Sequence, residues 1–315
     1  MSTTTETRLE FRKLSARIGA EIRGLDLSSD LSDATIAQIR EALNTHKALV
    51  FRDANIHDDD AQVRFASRFG PLTQAHPTVA SVDGKPAVLP VDSENGSANT
   101  WHTDVTFVVN PPQASTLRSI TLPAYGGETL IASSAGAYTD LPEELRNFAD
   151  TLWAIHTNDY DYSVPKNLEH ENAEERRKEF TRLKFETAHP VVRVHPLTGE
   201  RGLFIGGFAQ RLRIVGLSNT ESKDILRLLQ AYVTRPENVV RVNWEPDQLV
   251  LFDNRITQHY APDNYDSQPR QLNRVTVAGD VPRGIDGRSS SSIQGDSSTY
   301  SETVVLPADV SGGRL

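Results

Sequence analysis

The sequence predicts a mainly β protein with flanking helices, a two-sheet sandwich or barrel in a helical jacket. Three observations carry that reading. Short apolar runs of strand-like pattern recur along most of the chain. The few stretches with helical spacing sit near the start or between those runs. No GxGxxG fingerprint or phosphate-binding loop marks a nucleotide-binding sheet, so a nucleotide cofactor is not expected. At 315 residues the chain can bury a large core, and 37% hydrophobic residues with 19 Gly and 17 Pro fit a loop-rich globular protein.

Taken in order, Arg8 to Ile22 reads as short strands separated by Gly19. Ser32 or Asp33 caps a helix in which Ile36, Ile39 and Leu43 recur at helical spacing, ending near His46. Ala48-Leu49-Val50-Phe51 is a compact apolar run, the mark of a buried strand. A second helix covers about Asp59 to Phe69 and stops at Gly70-Pro71. Thr73 to Asn99, rich in Gly, Pro, Ser and Asp, reads as a long loop of the kind that forms lids. Ala114 to Leu122 and Glu128 to Ala132 are strands around a Gly126-Gly127 turn, and Asp140-Leu141-Pro142 opens a helix. Tyr160 to Lys166 is aromatic and irregular, and Glu169 to Lys184 is a mixed-charge helix or mobile insertion. Strand patterns return at Val191 to His195, Leu203 to Ile205, Val239 to Trp244, Gln248 to Phe252 and Asn273 to Ala278, interrupted by a helix over Thr220 to Val233. The expected organisation is one domain over 1–282 with a helical insertion around 140–185, followed by a flexible Ser- and Gly-rich tail over 283–315.

Composition removes several functions. A net charge of −9 argues against nucleic acid or an anionic membrane as partner, since both recruit clustered positive charge. With no cysteine, any metal must be held by nitrogen and oxygen. The first residues are polar, unlike a secretory signal, and no apolar run approaches the roughly 20 residues that span a bilayer. A soluble cytoplasmic protein is expected.

Chemistry concentrates at Trp101-His102-Thr103-Asp104. On an extended segment, His102 and Asp104 share one face. Asn254-Arg255-Ile256-Thr257-Gln258-His259 supplies a second histidine. Two imidazoles and one carboxylate form the facial set that holds iron(II) and leaves the other positions open. A His-x-acid triplet alone is weak, because nine His and 42 acidic residues produce about one by chance. The other triplet, His57-Asp58-Asp59, precedes an apolar-periodic run and reads as the first turn of a helix.

His102 gains weight from its company. Trp101-His102-Thr103-Asp104-Val105-Thr106-Phe107, Gly126-Gly127-Glu128-Thr129, Asp253-Asn254-Arg255-Ile256-Thr257-Gln258-His259-Tyr260 and Arg270-Gln271-Leu272-Asn273-Arg274 match in order the motifs of the taurine dioxygenase-like iron(II)/2-oxoglutarate dioxygenases. The resemblance runs from about Leu14 to Pro282. It implies a double-stranded β-helix, or jelly roll, with His102, Asp104 and His259 on Fe(II), and 2-oxoglutarate and O2 as co-substrates. By the same resemblance Arg270, helped by Thr129, pairs with the distal carboxylate of 2-oxoglutarate. Arg274, His76 and Val105 face the prime substrate. The residues agree: Arg270 and Arg274 are four apart, about 13 Å along a strand, so they can serve two anions, and a guanidinium fork suits carboxylate and sulfate alike. Related enzymes form dimers or tetramers, so a homo-oligomer is expected.

Within the family the chain looks most like the alkyl sulfate ester dioxygenases, on His76-Pro77-Thr78, His156-Thr157-Asn158-Asp159-Tyr160-Asp161-Tyr162 and His189-Pro190-Val191-Val192-Arg193-Val194-His195-Pro196. Ala98 stands where the taurine enzyme has an asparagine for its amine-bearing substrate. The implied reaction hydroxylates the carbon bearing the sulfate while 2-oxoglutarate becomes succinate and CO2. The resulting hemiacetal-like ester collapses to an aldehyde and inorganic sulfate, a sulfur-scavenging step. Three readings stay open: a sister dioxygenase of taurine, another sulfonate or a phenoxyalkanoate; a metal-dependent sulfate ester hydrolase; and a non-catalytic jelly-roll binding protein.

Overall fold

The computed structural model describes residues 8–93, 98–159, 178, 180–206 and 212–301. The chain opens with β1 (Arg12–Lys13), β2 (Ala20–Arg23), α1 (Asp33–His46), β3 (Ala48–Arg52) and α2 (Asp59–Ser67). Side-chain caps start both helices: Ser32 Oγ accepts from Thr35 N at 3.1 Å, and Asp58 Oδ1 accepts from Ala61 N at 2.7 Å. The second cap makes His57-Asp58-Asp59 a helix start. Next come β4 (Val88–Asp92), β5 (Ala114–Thr121), β6 (Thr129–Ser133), α3 (Ser134–Thr139), α4 (Glu143–Ala149), β7 (Trp153–Thr157), β8 (Glu186–Pro190), β9 (Val192–Val194), β10 (Arg201–Leu203) and β11 (Arg213–Ile214). Helix α5 (Asn219–Val233) starts with a reciprocal capping box between Ser218 and Glu221. Strands β12 (Val239–Val242), β13 (Leu249–Asp253), β14 (Thr257–Tyr260) and β15 (Gln271–Val277) lead to β16 (Arg283–Gly284), β17 (Ser291–Gln294) and α6 (Ser298–Ser301).

The architecture is mainly β with flanking helices, as expected, but among the described residues its strands fall into four sheets rather than two, the smaller ones including β10-β9-β16 and β11-β7-β8-β17. A seven-stranded sheet, ordered β1-β2-β3-β13-β5-β15-β4, packs on the three-stranded sheet β12-β6-β14. Alternation sorts the side chains. Ala48, Val50, Val250 and Phe252 enter the layer between the sheets with Ile131, Val240 and Val242, while Leu49, Phe51, Leu249 and Leu251 pack outward with Ile36, Ile39 and Phe65 of α1 and α2. Burial on both faces explains why β3 reads as a continuous apolar run. Each such Leu or Phe contributes roughly 1.5–3 kcal/mol. On the far side, Leu226, Leu229 and Val233 of α5 cover Ala132 and Ala154. No helix among the described residues is long and apolar enough to cross a membrane.

Three further expectations need correction. The 73–99 stretch holds β4, paired antiparallel with β15 and placing Pro90 opposite Asn273. Because β4 is the outermost strand of its sheet, a residue without an N–H is tolerated there. The region 140–185 is not wholly helical: α4 is followed by β7, which pairs with β8 and β11. Residues 160–177 and 179, the middle of the expected insertion, lie outside the described residues. The segment after Pro282 is tied down as far as Ser301, with β16 on β9 and β17 on β8. Backbone pairing outweighs its polar composition, and residues 302–315 lie outside the description.

Candidate metal centre and anion pockets

His102, Asp104 and His259 converge, with one ligand atom from each lying within 4.8 Å of the others. Both imidazole Nε2 atoms are 3.9 Å from Asp104 Oδ1. Residues 102 and 259 are partners in an isolated antiparallel bridge with reciprocal bonds, His102 N to His259 O at 3.0 Å and His259 N to His102 O at 2.7 Å. This bridge brings together residues far apart in sequence. The segment is not the regular strand that sequence suggests. It turns after Thr103, and Val105 adopts φ 53°. A β-branched residue is disfavoured in that left-handed region. The turn persists because Asn254 grips it: Asp104 N donates to Asn254 Oδ1 (2.8 Å), and Asn254 Nδ2 donates to Asp104 O (3.1 Å) and Pro112 O (3.0 Å).

The donor set fits a divalent metal such as iron(II). His102 Nδ1 donates to Thr100 O at 2.7 Å, which leaves the Nε2 lone pair facing the carboxylate. His259 Nδ1 is buried and has no hydrogen bond among the described residues, and its Nε2 likewise faces Asp104. Burial pushes the His259 pKa down to about 3, reinforced by His102 and Arg274 and opposed by Asp104. His102 is lowered by burial as well. Both rings are therefore neutral, as metal ligation requires. Burial alone would raise Asp104, but the Arg274 guanidinium holds its carboxyl well below the usual range. Asp104 Oδ2 accepts from Ser115 Oγ at 2.7 Å.

Around the triad lie the other residues that the sequence nominates. The Arg274 guanidinium hydrogen-bonds Asp104 Oδ1, and its Nη2 is 3.4 Å from Ala75 O, next to His76. His76 Nδ1 accepts from Thr78 N (3.2 Å) and Val79 N (3.1 Å), so its proton resides on Nε2. Burial, and then Arg274, push its pKa down to about 3, making it a neutral donor. Val105 joins Phe107, Val108, Phe180 and Phe185 in an apolar cluster, and the His76 ring sits 5.2 Å from that of Phe180.

Arg270 is buried in a different set of partners. Its Nε donates to Gly127 O at 2.7 Å, and Nη2 lies 3.4 Å from Thr129 Oγ1, which also accepts from Trp244 Nε1 at 3.0 Å. The two arginines have different partners. A register shift between Gln271 and Leu272 interrupts the regular strand spacing between them. Sequence reasoning missed Asn254, Ser115 and Trp244 as parts of the site. Asn254 alone left a trace, lying inside a quoted motif.

The comparisons agree with this geometry. A family model described as "Taurine catabolism dioxygenase TauD, TfdA family" matches residues 10–276. The chain is 49% identical over 284 residues to an alpha-ketoglutarate-dependent sulfate ester dioxygenase of Pseudomonas putida, covering 90% of this chain and 93% of that protein. It is 47% identical to an alkylsulfatase of Acinetobacter baylyi over 89% of this chain and 88% of that one. A taurine dioxygenase structure from Burkholderia xenovorans superposes with a TM-score of 0.79 at 37% identity, covering 98% of this chain and 100% of that one. Matched over most of its length, the chain belongs to the TauD/TfdA family, the jelly-roll 2-oxoglutarate-dependent dioxygenases that use iron(II) and O2.

Proposed function

We propose that this enzyme hydroxylates the sulfate-bearing carbon of alkyl sulfate esters, releasing an aldehyde and inorganic sulfate. His102, Asp104 and His259 hold iron(II), Arg270 with Thr129 anchors the distal carboxylate of 2-oxoglutarate, and Arg274 with His76 anchors the sulfate. Iron(II), 2-oxoglutarate and O2 together supply the hydroxylating oxidant, with succinate and CO2 as co-products. The observation that carries the reading is the arginine beside the triad. Arg274 stands there with a neutral His76 donor next to it, and its partners differ from those of Arg270. A guanidinium and an N–H donor suit an oxyanion, while the apolar cluster of Val105, Phe107 and Phe180 suits an alkyl chain, worth about 0.8 kcal/mol per buried methylene. The sulfate ester and alkylsulfatase names of the two relatives point the same way.

Positioning is the protein's main contribution, since the anion anchor fixes which carbon faces the metal. Arg274→Ala should lower sulfate release by about 100-fold while leaving some uncoupled succinate formation, because Arg270 is untouched. If both rates match the wild type, the anchor assignment is wrong. Sulfate release that persists without O2 or 2-oxoglutarate would identify a hydrolase instead. A panel of alkyl sulfates, taurine, other sulfonates and aryloxy acids, scored by succinate, separates this substrate from the sister activities.

A further inference from the structure

The last described segment, expected from composition to be a loose tail, returns to the substrate side of the site. It is fastened along its length. Arg283 pairs with Val194, Ser291 pairs with Ala188, Ser290 Oγ lies 2.6 Å from His189 Nδ1, and Ser301 Oγ donates to Asn110 Oδ1 at 2.9 Å. Gln74 N donates to Tyr300 O at 3.3 Å, two residues before His76. These fastenings deliver the Tyr300 ring, 3% exposed, into the cluster of Val105, Phe107, Val108, Phe180 and Phe185. The same cluster touches His76 through Phe107 and Phe180.

The phenol hydroxyl is buried, the hydroxyls of Thr73 and Thr276 neighbour its oxygen as donors, and its own proton has no acceptor in hydrogen-bond geometry among the described residues. Those two hydroxyls are also linked to each other and to the backbone: Thr73 Oγ1 and Thr276 Oγ1 are 2.5 Å apart, and Thr73 Oγ1 lies 2.8 Å from Gln74 O. Burial pushes the Tyr300 pKa up to about 12, opposed by the Thr73 hydroxyl, Arg274 and the Thr276 hydroxyl and helped by Asp104, so the proton stays on oxygen. A buried O–H that donates to nothing is unfavourable, and beside an anion pocket a ligand is the natural acceptor.

We propose that Tyr300 is a specificity-determining residue whose phenol donates a hydrogen bond to the anionic head group held by Arg274 and His76. The inference rests on the anion-pocket reading above and extends it. A sulfate monoester or sulfonate presents three terminal oxygens, one for each of three donors, whereas a carboxylate presents two. Tyr300 therefore favours tetrahedral sulfur oxyanions over planar carboxylates.

Tyr300→Phe keeps the ring and removes only the hydroxyl. The KM for an alkyl sulfate should rise about tenfold or more, the scale of one hydrogen bond to a charged group. The KM for 2-oxoglutarate and the melting midpoint should stay unchanged. Selectivity for alkyl sulfate over an aryloxy carboxylate should fall by the same factor. Anaerobic binding of the alkyl sulfate to the iron- and 2-oxoglutarate-loaded protein gives a second readout that does not depend on turnover. An unmoved KM and affinity in the Phe variant, with wild type active on sulfur oxyanions, overturns the role of Tyr300 alone. If wild type turns over no sulfur oxyanion, the pocket reading fails and this inference with it.

Discussion

Asn254 commits its whole side-chain amide to one turn. One oxygen and two hydrogens bond the backbone on both sides of Asp104 and reach Pro112, all in the buried interior. The left-handed Val105 that follows cannot be favoured by its own side chain, so the amide holds it there. Removing that support leaves Asp104 free to wander from the two imidazoles. Asn254→Ala should weaken ferrous binding by roughly 10–100-fold, the usual effect of losing a group that orients a metal ligand. Equilibrium titration of the apoprotein with iron(II) under nitrogen measures this, and an unchanged binding constant would remove Asn254 from the site. The ligands themselves were legible because metal chemistry restricts residue type and spacing. Asn254 and Tyr300 were not, because a supporting amide or phenol has no distinguishing pattern until the chain is folded.

Turns and strands show the same division at the next scale. Gly126 and Gly127 both take positive φ, 71° and 67°, and Gly127 O receives the Arg270 Nε–H. A Cβ at Gly127 would lie 2.9 Å from Pro123 Cγ and 3.1 Å from Arg270 Cδ. Gly127→Ala thus combines a disfavoured backbone with pressure on the co-substrate arginine. The KM for 2-oxoglutarate should rise about tenfold, equivalent to about 1.4 kcal/mol, with the ferrous site intact. A variant whose KM for 2-oxoglutarate equals that of wild type would contradict the Arg270 assignment or its dependence on this turn. The turn was legible from Gly-Gly between two strand patterns, as were α1 from its cap and spacing and α2 and α5 from their helical patterns. Strand β4 was hidden by Pro90 and its polar surroundings, since an edge strand needs neither an N–H at every position nor two apolar faces. Strands β16 and β17 were hidden for a related reason: Ser-rich residues pair through their backbones, which carry no sequence signature.

For the molecule as a whole, the cost of burying the site falls on neutral histidines. Burial pushes the pKa of His76 and His189 down to about 3, and that of His156, whose two ring nitrogens find no hydrogen bond among the described residues, lower than usual too. His189 Nε2 donates to Thr106 O at 2.8 Å and so holds the segment beyond Asp104, while burial keeps the ring uncharged. In the unfolded chain these rings titrate near 6.5. Between about pH 6.5 and about 3 the unfolded state therefore binds protons that the folded state refuses, and stability rises with pH. Their contribution is complete above about 6.5 and is lost as pH falls toward 3, ahead of Asp104 and Asp253, whose depressed pKa values act only in stronger acid. The melting midpoint of the metal-free protein should thus be level from about pH 8 to about 7 and fall steadily from about 6.5 to about 4.5. Iron(II) should raise the midpoint at neutral pH and progressively less in acid, because protons compete with the metal for the imidazoles. Scanning calorimetry across that range, with and without ferrous iron under nitrogen, reads both effects. A metal-free midpoint that holds or climbs as pH drops through 6 would mean that the buried rings are already charged in the folded protein, and the neutral-donor role of His76 would go with it.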